Sequence, residues 1–264
     1  MKRARLLLSF DIEEFDLPEE FGAAIPEEAK FGISGEGTAA VLKLLREKRV
    51  RATFFITGVF AERFPELVGE MVRDGHEIAS HGMNHTTFTP ADLRGSKELL
   101  ERLSGKAVTG FRMARLAPVT KEEILKAGFL YESSLNPVWL PGRYNNLGKP
   151  LLPFREPCGL RQFPISAVPG CRFPLFWLSF KNLPLSCYGM LARSAVAMTG
   201  YYNMYTHPWE YSSRCAEPEW QIPGYIVRRA GASQLARLSA LIDRLQSKGD
   251  FMTFQEYPDP ISGE

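Results

Sequence analysis

An α/β barrel of parallel strands is the fold class this sequence predicts, on three observations. Short apolar runs with the content of buried strands alternate with segments of helical periodicity. Nearly every such run ends in a polar or charged residue, as strands that deliver chemistry to one rim of a barrel do. The chain has 264 residues, enough for one large domain, and shows no linker or internal repeat that would divide it. A single domain over residues 1–264 with about seven or eight strands is expected.

The elements follow in order. Residues 5–10 read as a buried strand closed by the carboxylate cluster Asp11-Ile12-Glu13-Glu14-Phe15-Asp16. Residues 17–35, rich in Pro, Gly and Glu, read as a loop, and residues 37–48 as a helix with Thr38 at its cap. Residues 52–57 are a second strand, rich in β-formers. A helix over 65–73 starts at a proline and stops at Asp74-Gly75. The strand 76–80 runs into Ser80-His81-Gly82-Met83-Asn84-His85, and Thr89-Pro90 opens a helix to about residue 103. Residues 108–111 form a strand ending at Arg112, 120–127 a helix, and 128–131 lead into Glu132-Ser133-Ser134. The proline-rich stretch 135–160 reads as a long loop, either a binding lid or a surface excursion. Residues 160–165 resemble a strand, while the aromatic stretch 166–190 has no clear period. A helix over 191–198, a strand over 201–206 ending at His207-Pro208-Trp209-Glu210, an amphipathic helix over 233–248 and a strand over 250–255 complete the chain.

Bulk properties exclude several classes. Net charge is +2, from 32 basic and 30 acidic residues without a basic block, so nucleic acid is not the expected partner. No apolar run approaches the roughly 20 residues that span a bilayer. The start resembles a signal peptide, but its apolar run breaks at Asp11. The four cysteines are widely spaced and read as free thiols, so a cytoplasmic location is expected.

Collected at the strand ends are Asp11 and Glu13, His81 and His85, Arg112, Ser133 and Ser134, and His207. Two histidines and a carboxylate with open positions form a hydrolytic metal site of the zinc type. A second carboxylate beside them serves as base, a separate histidine protonates a leaving group, and Arg112 holds the base or an anionic substrate group. Each residue also has a plainer reading. The acidic cluster can be a solvated turn, Arg112 a surface charge and His207 a packed core histidine. Only their joint recurrence at strand ends favours metal-assisted hydrolysis of an amide or ester.

Ser9-Phe10-Asp11, Ala52-Thr53-Phe54-Phe55, Gly75 to His85, Phe111-Arg112, Gly128 to Ser134 and Thr206 to Glu210, in this order, resemble the polysaccharide deacetylases with a NodB homology domain, of the carbohydrate esterase type. The proline-rich stretch and His-Pro-Trp-Glu look like a bacterial subgroup associated with surface polysaccharides. The resemblance implies a distorted (β/α) barrel, usually of seven strands. It also implies metal-dependent removal of an N- or O-acetyl group from a sugar or glycan precursor. By position, Asp11 is then the general base, His207 the general acid and Arg112 the residue that orients Asp11. Glu13, His81 and His85 are the ligands of one divalent metal, Zn first, with Co, Ni or Mn as alternatives. The amides at Ser133 or Ser134, or the backbone near Tyr131, are candidates for shaping the acetyl pocket or oxyanion hole, and Trp209 is a further candidate substrate contact. Two departures stand out. Ile12 replaces the second Asp of the usual pair, which leaves the longer Glu13 as third ligand; glutamate here also resembles metal-free, allantoinase-like amidohydrolases. Arg112-Met113-Ala114-Arg115 replaces Arg-x-Pro, and Arg115 adds a charge for a carboxylate or phosphate on the substrate. A third reading is an inactive barrel that binds glycans through the aromatic stretch 166–180.

Overall fold

β1, Ala4–Ile12, is the axis of the sheet in the computed structural model, which describes residues 3–259. Met1, Lys2 and residues 260–264, which the expected domain 1–264 includes, lie outside the described residues. The further strands are β2 (Thr53–Ile56), β3 (Glu77–Ser80), β4 (Gly110–Phe111), β5 (Tyr131–Glu132), β6 (Trp139–Leu140), β7 (Tyr144–Asn145), β8 (Phe154–Arg155), β9 (Arg161–Gln162), β10 (Tyr201–Thr206) and β11 (Gly249–Met252). The main sheet has nine strands in the order β10-β1-β2-β3-β4-β5-β9-β8, with β11 added against the first half of β1. All pairings are parallel except β8 with β9, so eight strands run in one direction around a curled sheet. At the seam, Ser166 N–H donates to Asn203 O (2.9 Å) and Asn203 N–H to Ser166 Oγ (2.9 Å). The Asn203 side chain also donates to the carbonyls of Phe163 and Pro164.

Strand pleat explains what faces where, because successive side chains point to opposite faces. Leu6, Leu8, Phe10 and Ile12 of β1 pack into the core beneath the helices, together with Phe54, Ile56, Ile78, Tyr202 and Met204. The alternate positions turn inward and form three layers. At the base, Leu7, Phe55, Ala79, Tyr131, Phe163, Tyr201, Phe254 and Tyr257 make a separate apolar cluster. Ser9, Arg112, Ser133 and Asn203 form a polar layer above it, joined by hydrogen bonds. Asp11, His81 and His207 lie at the C-terminal ends of β1, β3 and β10, with Glu13 just beyond β1. The same period accounts for Ile12: an aspartate there would face the helices, while position 13 shares the face of Asp11.

Several expected boundaries differ. Residues 17–35 contain the short helix Leu17–Glu20 and most of the first turns of a 22-residue helix, Glu27–Lys48. Glycine lowers helix propensity by about 1 kcal/mol, so the Gly-rich run 32–37 reads as loop in isolation. Tertiary packing overrides it: a Cβ on Gly37 would lie 1.8 Å from the carbonyl oxygen of Pro208. That glycine lets the helix press against the 3₁₀ turn Pro208–Tyr211 that follows His207. The stretch 135–160 is not structureless, since β6 and β7 form a hairpin and β8 pairs back onto β9. Within 166–190 lie the helix Trp177–Asn182 and the start of Leu185–Thr199, which begins after Pro184 rather than at 191. Thr89 and Asp92 make the capping box of the helix Pro90–Ser104, as its sequence suggests.

Two expectations test this packing. Gly37→Ala should cost at least about 2 kcal/mol in urea denaturation, because the clash is with backbone and not with a yielding side chain; wild-type stability would show that the close approach is not obligatory. Glu77 is buried at the base, and burial raises its carboxyl to about 7 against the hydrogen bonds of Thr53 and Tyr131. The folded state then holds a proton that the unfolded chain releases, so this contribution is full below pH 4.5 and lost as pH rises through 7. Stability of the wild type relative to Glu77→Gln should fall by an amount on the order of 2 kcal/mol between pH 5 and 7. Parallel pH profiles for the two proteins would contradict this.

Candidate metal centre and hydrolytic site

Three side chains meet at the rim of the sheet. Glu13 Oε2 lies 2.9 Å from His85 Nε2 and 3.4 Å from His81 Nε2, and the ligand atoms of the three residues all lie within 4.8 Å of one another. Neither approach has hydrogen-bond geometry, so Glu13 Oε2 is buried without a hydrogen-bond partner. Two ligands about 2.0–2.1 Å from a tetrahedral cation stand roughly 3.3 Å apart, so these spacings fit a divalent ion. The outer nitrogens prepare the inner ones. His81 Nδ1 faces the carbonyl oxygen of Arg112 at 2.8 Å, and His85 Nδ1 faces Asp16 Oδ1 at 2.9 Å. Both partners only accept, so each Nδ1 carries a hydrogen and each Nε2 offers a lone pair inward when the ring is neutral. Indole N–H of Trp209 donates to Glu13 Oε1 at 3.1 Å and fixes the carboxylate. Glu14 accepts from the backbone N–H of His85 (2.8 Å) and from Thr57 (3.0 Å), which ties the histidine loop to the end of β1.

Electrostatics follow from this proximity. Burial alone would raise the Glu13 carboxyl, but the charges of His85 and His207 hold it well below the usual range. Burial would lower His85; Glu13 and Asp16 outweigh it and push the imidazole up to about 10.

Arg112 is fully buried, and its NH1 reaches Asp11 Oδ1 at 2.5 Å and Ser9 Oγ at 3.0 Å. Its other nitrogens donate to the carbonyl and the hydroxyl of Ser133, at 2.8 and 2.9 Å. The guanidinium lies over Phe55 on one side, 4.1 Å from the ring centre, and over Tyr205 at 5.1 Å. His207 Nδ1 lies 3.1 Å from Glu210 Oε1, and Glu210 Oε2 lies 2.9 Å from the ammonium of Lys181. Burial would lower His207, but the charge of Glu13 and the Glu210 carboxylate raise it above its ordinary value. Asp11, Glu13, His81, His85 and His207 all line one pocket, whose walls include Phe176, Trp177, Tyr205 and Trp209.

The side chains of four candidate substrate-site residues have partners within the fold. Ser133 is buried, and its hydroxyl accepts from Arg112 and Asn203 and donates to Phe163 O. Ser134 Oγ accepts from Met113 N–H and shapes the loop after Arg112. Tyr131 is buried in the base cluster, its hydroxyl on Glu77, because strand pleat turns it inward two residues below Ser133. Arg115 does line the pocket, but Glu20 (2.8 Å) and Asp16 (3.2 Å) already pair with it. Asp16, Glu210 and Lys181 were not singled out in the sequence. Asp16 hides among adjacent carboxylates, and Glu210 is legible only as the third residue after a histidine that opens a proline-led turn. Lys181 carries no local signal.

Metal ligands bind as deprotonated groups, so a cation at Glu13, His81 and His85 must displace the proton from His85. Zn²⁺ affinity should therefore rise about tenfold per pH unit between 6 and 8, with proton release visible as a buffer-dependent heat of binding. A pH-independent affinity without proton release would contradict this geometry.

With this geometry in view, residues 30–127 match the family model described as polysaccharide deacetylase. The match contains His81, His85 and Arg112, while Asp11, Glu13 and His207 come from outside it. A peptidoglycan deacetylase of Helicobacter pylori is 35% identical over 125 residues, and the chain covers 43% of that relative's length. A Mycobacterium smegmatis protein assigned as a polysaccharide deacetylase shares the fold with a TM-score of 0.68 at 20% identity, over 97% of this chain and 88% of that one. Puue allantoinase shares it at 0.65 and 17% identity, over 96% of this chain and 88% of that one. The resemblance to the polysaccharide deacetylases thus stands, carried in sequence by residues 30–127 and in fold by almost the whole chain.

Proposed function

We propose that the chain is a metal-dependent hydrolase that removes an acetyl group, N- or O-linked, from a carbohydrate. The observation that carries this reading is the convergence of the Asp11–Arg112 pair, the Glu13/His81/His85 triad and His207 on one aromatic-walled pocket. The Helicobacter pylori relative named above is a peptidoglycan deacetylase, which supports the substrate class.

Glu13, His81 and His85 would hold a divalent cation, most simply Zn²⁺, which would supply Lewis acidity toward the acetyl carbonyl and the attacking water. Asp11 takes the proton from the attacking water. Arg112 occupies Asp11 Oδ1, which leaves Oδ2 for this task and keeps the carboxylate at fixed orientation. His207, with Nδ1 engaged by Glu210, delivers a proton from Nε2 to the departing nitrogen or oxygen of the sugar. Against its burial, the charge of Glu13 and the Glu210 carboxylate raise its pKa, which favours the protonated imidazole that this role needs. Trp177 and Trp209 cluster with His207, with ring centres 4.9 and 5.1 Å from it and 5.8 Å from each other, and give the pocket apolar aromatic surface for a sugar ring.

A second reading is metal-free hydrolysis of a small cyclic amide or ureide. It is favoured by Glu13, which closes an ion pair with His85 without any cation, and by the shared fold of an allantoinase. Stoichiometric metal in protein purified without added metal excludes it.

Acetate release from acetylated amino sugars should fall by about a thousandfold or more in Asp11→Asn and His81→Ala, and on chelation. Unchanged release after chelation and in His81→Ala would remove the metal from the reaction.

A further inference from the structure

The pocket is roofed on one side by the β6–β7 hairpin, whose tip is Leu140-Pro141-Gly142-Arg143. Arg143 N–H donates to Leu140 O at 3.0 Å, and Gly142 has φ +78°. Proline at the second position and a positive φ at the third define a type II turn, which glycine adopts at no steric cost. The turn is braced from below. Asn136 Nδ2 donates to the Tyr144 hydroxyl (3.0 Å), Asn146 Nδ2 to Asn136 O (3.0 Å), and Arg172 to the carbonyls of Pro137 (3.0 Å) and Lys149 (2.8 Å). Arg143 is thus an exposed cation held at the pocket wall by a stiff support.

The two arginines of this pocket wall differ in one respect. Arg115 spends its donors on Glu20 and Asp16, whereas Arg143 has no carboxylate partner among the described residues. An arginine that meets neither a carboxylate nor a carbonyl keeps its forked donors for a planar or tetrahedral anion. Nothing else on the pocket wall needs it: Asp11 is paired with Arg112, and Glu13 faces the two histidines.

We infer that Arg143 selects a substrate carrying a negative charge, a carboxylate or a phosphate, on or next to the sugar that enters the pocket. The sugar itself rests on the deacetylase reading; the charge selection does not. Leu140 and Tyr144, flanking Arg143 in the same hairpin, supply the apolar edge against which such a group is oriented.

The test is a fluorescence titration of the full chain, read through Trp177 and Trp209, with N-acetylglucosamine, its 6-phosphate and N-acetylglucosaminuronic acid. The wild type should bind at least one charged sugar about tenfold more tightly than the neutral one at low salt, and lose that preference in 0.5 M salt. Arg143→Ala should lose the preference while holding the neutral sugar within twofold, Arg143→Lys should recover part of it, and Arg115→Ala should retain it. The phosphate and carboxylate arms show which anion is read. Lack of preference in the wild type, or its survival in Arg143→Ala, overturns the inference. Acetate release is measured on the same sugars: charge selection through Arg143 without any release sinks the deacetylase reading and leaves this inference standing.

Discussion

A fully buried guanidinium holds this site together. Arg112 sits between the apolar base of the curled sheet and its catalytic rim, with one carboxylate, two hydroxyls and a carbonyl to satisfy it. Removing the partner of a buried charge costs about 3–5 kcal/mol, so Asp11 and Arg112 hold each other in place. The backbone carbonyl of the same residue orients His81. One arginine therefore sets both the Asp11 carboxylate and the inward nitrogen of His81. Ser9, Ser133 and Asn203, each from a different part of the chain, serve to make the interior tolerable for it. Their hydroxyls and amide are spent on structure, which is why the two serines do not face substrate.

The same economy governs the rim. Glu13 is one methylene longer than an aspartate, and the structure accommodates it by drawing on groups outside the ligand set. Trp209 anchors its second oxygen, Glu14 draws the His85 backbone toward β1, and Asp16 grips the His85 ring. Trp209 and Glu210 both lie on the turn that the helix Glu27–Lys48 supports at Gly37. His207 and Glu13 are thus positioned by a single short turn, and that turn by the absence of one Cβ. On the far side, the buried Lys181 neutralises Glu210, so the carboxylate beside His207 does not stand as an isolated charge.

Much of this was legible in the sequence. Strand ends could be read because parallel strands buried on both faces are continuous apolar runs, and the polar residue that stops each run marks the rim. Asp11, Arg112, His81, His85 and His207 are legible that way, and the structure brings them together at one rim. The helix Glu27–Lys48 was not legible across Gly32, Gly35 and Gly37, since what packs against them, Arg214, Phe64 and Pro208, comes from other parts of the chain. The inward side chains of Tyr131 and Ser133 were not legible because a two-residue strand leaves the pleat phase undetermined. Arg143 was lost in a proline-rich stretch whose order comes from a type II turn and long-range hydrogen bonds. Glu210 carries only the local signal of its place three residues after His207, and the proximity of Asp16 to His85 is one that only the fold supplies.

The central claim is that Glu13, despite its length, completes a metal centre with His81 and His85. The most direct measurement is anomalous diffraction at the zinc absorption edge from crystals grown with stoichiometric Zn²⁺. A single strong peak within about 2.0–2.2 Å of Glu13 Oε2, His81 Nε2 and His85 Nε2 is the result expected. A peak held by the histidines alone, with Glu13 turned away, or no peak between the three side chains, would contradict the account.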